Sequence, residues 1–172
     1  MKILITAIFA LSMLLPGLWE ARASDLGDHA GTSTPILSKG ATTLETRTDR
    51  TIVRARITTY EAGTKEAVAK AYRAIGFSNV RLVQELRIQM GNRQVFVPLS
   101  TFCDLANLRE GKLSRMAKRG WVLILEGGDA SESYTVRIEF DAKSVRRRIV
   151  TSALTPDRPS QDTRYYTGVI GE

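Results

Sequence analysis

Polar and apolar residues alternate along most of this chain, and a period of two predicts strands. In "TIVRARITTY", Val53, Ala55 and Ile57 alternate with Arg54, Arg56 and Thr58, as on a strand with one face exposed. "TKEAVAKAYRAIGF" changes period. Val68, Ala71, Tyr72 and Ile75 fall on one helical face, with Thr64 as N-cap and Gly76 at the left-handed stop, so a helix is expected near 64–75. Period two returns in "NVRLVQELRIQMGNRQVFVPL". Here Val80, Leu82, Leu86 and Ile88 are expected on one face, and Arg81, Glu85, Arg87 and Gln89 on the other. Gly91-Asn92 supplies a two-residue hairpin turn, and Pro98 ends the return strand or marks an edge. "STFCDLANL" reads as one short helical turn capped by Ser100, "REGK" as a turn and "KLSRMA" as a weak strand.

"WVLIL" has no polar side, so Trp121 to Leu125 is expected as a central strand covered on both faces. Tyr134, Val136, Ile138 and Phe140 then alternate strictly with polar residues. The glycine-containing link between these strands is a hairpin signature, with Gly127 and Gly128 supplying positive φ and Asp129 bonding its own downstream backbone. "VRRRIVTSAL" conflicts with itself. Pairing Phe140 with Val145 sets Ile138 against Arg147 on the apolar side, so Arg147, or a bulge beside it, is expected at the core margin near an acid. "TPDRPSQD" reads as a loop and "TRYYTGVI" as a last strand. The fold expected is α+β: a mainly antiparallel, sandwich-like sheet of about seven or eight strands, with one α-helix near 64–75.

The first 48 residues follow a different rule. Lys2, the apolar run Ile3 to Leu15, the breakers Pro16 and Gly17, and Ala21-Arg22-Ala23 together read as a signal peptide over 1–23. Residues 24–48, rich in Gly, Ser, Thr and Asp, read as a flexible leader. A single β-rich domain then spans 49–172, and nothing after the signal is apolar enough to span a bilayer. The expected location is periplasmic or secreted.

Lys and Arg number 25 against 18 Asp and Glu, a net charge of +7. In an exported protein such an excess points to anionic surfaces, polysaccharides or acidic proteins rather than nucleic acid. Arg54 and Arg56 share the polar side of one strand and Arg81 and Arg87 that of another. If the strands are neighbours they form a candidate anion-binding face. Cys103 is the only cysteine, so no internal disulfide forms, and it reads as a buried small hydrophobe.

Little catalytic apparatus is present. The only histidine, His29, lies in the leader, and one His with one Cys is too few for a zinc site. No cofactor or metal is called for. The acids Asp104, Glu126, Asp129 and Glu132 allow two chemical readings: a glycosidase pair, or calcium bound by Asp129, Glu132 and backbone carbonyls. A third reading makes Glu126, Asp129 and Glu132 a protruding acidic loop that enters a partner's cationic cleft. In outline the chain is similar to exported lysozyme inhibitors, which are small, β-rich and carry a Ser-Gly-x-x-Tyr loop. Ser131-Glu132-Ser133-Tyr134 lacks that glycine, and a second cysteine is missing.

Three functions follow in order of expectation. First is a non-enzymatic binding protein of the cell envelope or extracellular space, of inhibitor, immunity or accessory type, with a protein partner. Second is a small glycan-directed hydrolase using carboxylates around the "EGGD" loop. Third is a cationic domain for an anionic glycan or lipid surface. The leader reading makes a direct prediction: mass spectrometry of the exported protein finds a mature N-terminus at Ser24. An exported protein retaining Met1 would refute it.

Overall fold

The computed structural model describes residues 32–48, 50–63, 65, 66, 70, 80–117 and 119–166. Ten strands run through these residues. They are β1 (Ser33–Pro35), β2 (Gly40–Arg47), β3 (Ile52–Ala62), β4 (Val80–Met90), β5 (Arg93–Val95), β6 (Leu108–Arg115), β7 (Trp121–Gly127), β8 (Tyr134–Phe140), β9 (Val145–Ser152) and β10 (Pro159–Arg164). One sheet has the order β1-β6-β7-β8-β9-β10 and the other β2-β3-β4-β5, and the ladders within each are antiparallel. The helix expected over 64–75 lies outside the described residues except at Lys65, Glu66 and Lys70. No helix among the described residues is long and apolar enough to cross a membrane.

Both sheets feed one hydrophobic cluster. Val53, Ala55 and Ile57 of β3 and Leu86 and Ile88 of β4 join Leu123 and Leu125 of β7 and Val136, Ile138 and Phe140 of β8. The strict alternation of β8 is obeyed: its even-numbered residues are buried and its odd ones half-buried. β7 lies inside its sheet between β6 and β8, and Val122, on the face away from the main cluster, is also fully buried. This explains the absence of polar residues from Trp121 to Leu125.

Residues 33–47, expected within the flexible leader, instead form β1 and β2. The pattern hid them because their buried positions are partly threonine. Thr42 Oγ1 accepts from Leu37 N–H (2.9 Å), and across the sheet Thr59 Oγ1 donates to Leu37 O (2.8 Å). A hydroxyl satisfied in this way is buried at little cost, so polarity alone misreports the strand. β6 also begins earlier than expected and absorbs "REGK". Gly111 sits mid-strand because a Cβ there would lie 2.9 Å from Leu44 Cδ2 and 3.0 Å from Leu125 Cδ2. β10 occupies 159–164: it takes in the end of the segment read as a loop and the first two residues of the expected last strand, and Tyr165 and Tyr166 lie beyond it.

The conflict in "VRRRIVTSAL" is resolved by a bulge. Phe140 pairs with Val145, Arg146 is the extra residue, and Glu139 and Ile138 then pair with Arg147 and Arg148. The arginine on the apolar side is therefore Arg148, not Arg147. Arg148 is 3% exposed. Its Nη2 donates to both Asp104 oxygens (2.7 and 2.8 Å), its Nε to Thr101 O (3.1 Å) and its Nη1 to Gln161 Oε1 (2.5 Å). Every edge of the guanidinium is used, which is what burying such a charge requires. Arg147 instead forms a pair with Asp162 that is about a third exposed.

Tyr134, also buried, holds the same connecting segment from the other end. Its hydroxyl donates to Ala106 O (2.6 Å) and accepts from Ala106 N–H (2.9 Å). The segment 99–107 is thus clamped to the six-stranded sheet at Asp104 and at Ala106. Asp104→Ala leaves Arg148 charged and unpaired in the core, and should cost about 2–4 kcal/mol in urea unfolding, somewhat below a fully buried pair because Asp104 is partly exposed. Arg147→Ala should cost less than about 1 kcal/mol. Equal losses would refute the clamp.

Candidate anion-binding face

The arginine question turns on β3 and β4, which are neighbours in register. Arg56 lies opposite Arg87, Arg54 opposite Gln89, and Thr43 of β2 opposite Arg56. Their buried neighbours Ala55, Ile57, Leu86 and Ile88 point into the core, so period two sends the arginines outward. Arg54 Nε donates to Glu45 Oε2 (2.6 Å) and Arg87 Nε to Glu85 Oε1 (2.7 Å). The Arg54 guanidinium holds the Glu45 carboxyl below its ordinary range. Arg56 has no carboxylate or hydrogen-bond partner among the described residues, although a second guanidinium faces it across the ladder. The two arginines, Arg54, Gln89, Asn92 and Gln94 line a groove of about 340 Å³.

Arg81 does not join this set. The ladder skips Gln84: Thr58 pairs with Glu85 but Thr59 with Val83. One extra residue reverses every side chain beyond it, so Arg81 lies opposite Glu61 on the other face from Arg87. The same reversal moves Val80 and Leu82 away from Leu86 and Ile88. They pack with Ala62 and Ala106 in a second cluster.

The acidic loop is organised differently from its expectation. Glu126 belongs to β7 rather than to the loop, and lies directly opposite Glu110 because β6 carries an extra residue at Arg109. Burial pushes the Glu126 carboxyl above its usual range, and the charge of Glu110 and a hydrogen bond to it add to the rise, while Arg109 opposes it. Ser33 Oγ donates to Glu110 Oε2 (2.7 Å). Asp129 is exposed and makes no side-chain cap; its backbone carbonyl accepts from Glu132 N–H (2.8 Å). Glu132 closes a short 3-10 turn, Ala130–Glu132, and is half-buried.

The two glycines have different causes. Gly128 alone takes positive φ (75°), and a Cβ there would collide with Glu132 O. Gly127 has no positive φ; its Cβ would meet the Tyr134 ring at 2.7 Å. The "EGGD" corner is therefore fully accounted for by the hairpin and by the seat of Tyr134.

Asp104 is committed to Arg148, and among the described residues no group of three or more His, Cys, Asp or Glu could hold a metal ion. Cys103, expected in the core, is exposed. The short 3-10 turn Leu99–Thr101 sends Thr101 and Phe102 inward and leaves the thiol outside. His29 lies outside the described residues. No family model, no curated protein and no solved structure matches the chain.

The Glu110–Glu126 pair predicts a pH dependence. A carboxyl whose pKa is raised by folding stabilises the fold fully below its unfolded value, and this contribution is lost as pH rises through the folded one. Glu126→Gln should therefore raise the melting temperature relative to the parent near pH 7, and the advantage should shrink as pH falls toward 4. A pH-independent difference would refute the raised Glu126 carboxyl.

Proposed function

We propose that the chain is an exported, non-enzymatic binding protein of the cell envelope or extracellular space, and that Arg54, Arg56 and Arg87 receive an anionic group of a protein partner. The observation that carries this reading is Arg56. It is exposed on β3, faces Arg87 in register and, among the described residues, lacks the carboxylate that Arg54 and Arg87 each have. Two guanidiniums held side by side repel one another, and an incoming carboxylate or phosphate relieves that repulsion while taking charge-assisted hydrogen bonds. Gln89, Asn92 and Gln94 add amides that can satisfy the remaining lone pairs. We read the two sheets as the faces of a sandwich, with this groove on its outer surface and a helix near 64–75 completing an α+β fold.

The arginine face is favoured over the acidic loop as the contact surface. Of the three acids only Asp129 is fully exposed, since Glu126 bonds Glu110 and Glu132 is half-buried in the turn. It is also favoured over hydrolysis. Asp104, one of the candidate acids, is paired with Arg148 and so is not free to act on a sugar bond.

Binding of fluorescent poly-L-glutamate tests the reading. Affinity should fall as salt rises. Arg56→Gln should weaken it about tenfold, the loss of one charge-assisted contact, while Asp129→Asn should not. Indistinguishable binding by the parent and Arg56→Gln would overturn the assignment. Tighter binding of heparin or anionic vesicles than of the polypeptide would assign the face to a glycan or lipid surface instead.

A further inference from the structure

We propose that a second groove, lined from both sheets by Arg50, Arg115 and Arg119, binds a phosphoryl group; it is separate from the Arg56 face and stands or falls independently of it. Two turns bring these residues together. Thr48 N–H donates to Thr51 O (2.9 Å) and Thr51 N–H to Thr48 Oγ1 (3.2 Å), which fixes the link from β2 to β3 that carries Arg50. Met116 N–H donates to Gly120 O (3.1 Å), which fixes the link from β6 to β7 that carries Arg119. Arg115 and Trp121 stand opposite one another at its base. A groove of about 530 Å³ opens between the two turns.

Its lining is cationic and rich in donors. Arg50 and Arg119 are exposed, and neither has a hydrogen bond or a carboxylate partner among the described residues. Arg115 is exposed as well and has a contact of its own. No acid lines the groove among the described residues; Asp49 and Lys118, next in sequence to Arg50 and Arg119, lie outside them. Trp121 supplies a further donor. It belongs to the main core cluster, is 6% exposed and lines the groove, yet its indole N–H has no hydrogen-bond partner among the described residues. A buried indole N–H usually finds an acceptor. Among the described residues the sealed side-chain atoms without a partner are the hydroxyls of Thr101, Ser114 and Ser144. The indole nitrogen is not one of them, so it stays open to an incoming acceptor.

These donors define the ligand. It must be anionic and rich in acceptors, because guanidinium and indole groups only donate. It must also take bonds from more than one direction, because Arg50 stands on a turn of the four-stranded sheet and Arg119 on a turn of the six-stranded one. A carboxylate holds its two oxygens in one plane. A phosphoryl group is tetrahedral, presents three acceptor oxygens and carries a charge of about −1.5 to −2 at neutral pH. It can therefore face both sheets at once, and the arginine fork suits it. A groove of this order of volume also admits the molecule that bears the phosphoryl group.

Tryptophan fluorescence tests this in a Trp19→Phe protein, where Trp121 is the only tryptophan. Pyrophosphate should shift the emission saturably, and sodium chloride at matched ionic strength should not. Arg50→Gln and Arg119→Gln should each weaken pyrophosphate about tenfold, while Arg56→Gln leaves it unchanged. Succinate, a dicarboxylate, should bind more weakly than pyrophosphate by about tenfold or more. Phosphatidate in phosphatidylcholine vesicles separates the sources. A stronger response per phosphate than pyrophosphate assigns the group to a lipid headgroup, and a weaker one to a soluble molecule. If neither phosphate probe gives a saturable shift, if neither arginine variant weakens it, or if succinate binds as well, the phosphoryl site is wrong. The Arg56 reading, tested with poly-L-glutamate, is untouched by that result.

Discussion

A β-ladder has a strict period of two, and a single inserted residue reverses every side chain beyond it. This constraint decides where the charges of this protein go. Skipping Gln84 separates Arg81 from Arg87 and moves Val80 and Leu82 from the main core to a second cluster. Skipping Arg109 brings Glu110 opposite Glu126. Skipping Arg146 selects Arg148, rather than Arg147, for the interior. Such insertions reposition side chains without altering the ladders on either side of them, so the core survives while the surface is rearranged.

The buried Arg148 is tolerable only because the connecting segment comes to meet it. Asp104, the Thr101 carbonyl and Gln161 together satisfy the guanidinium, and they come from segments far apart in the chain. Tyr134 fixes the other end of the same segment at Ala106. One connecting segment is thus held at both ends, once by a core charge and once by a buried hydroxyl.

Several arginines outside the core are locally compensated. Arg54, Arg87, Arg137, Arg146 and Arg147 each have a carboxylate within 2.8 Å. Net positive charge by itself therefore says little about function, because screened surface pairs contribute little to binding or stability. What distinguishes the outer face of the four-stranded sheet is an arginine that has no acid beside it among the described residues and lies opposite another arginine. That pairing is the feature the proposed anionic contact rests on.

Local pattern was enough for β3 and β8, because burial of one face writes itself directly into period two, and for β7, whose unbroken apolar run marks a strand covered on both faces. The hairpin at Gly127-Gly128 was legible from its glycines. Of the candidate site, Arg54, Arg56 and Arg87 were legible as polar-side residues of two strands, but that the strands are neighbours was not. β2 was not, since Thr42 hides a buried position behind a hydroxyl that only the Leu37 backbone, brought close by folding, satisfies. The position of Cys103 and the separation of Arg81 from Arg87 were equally hidden. Alternation is a property of neighbours along the chain, and the amino-acid sequence determined it alone. Bulges, buried ion pairs and open edges depend on which distant segment arrives opposite, and Asp104 reaches Arg148 across 44 positions. Only the tertiary structure could decide those.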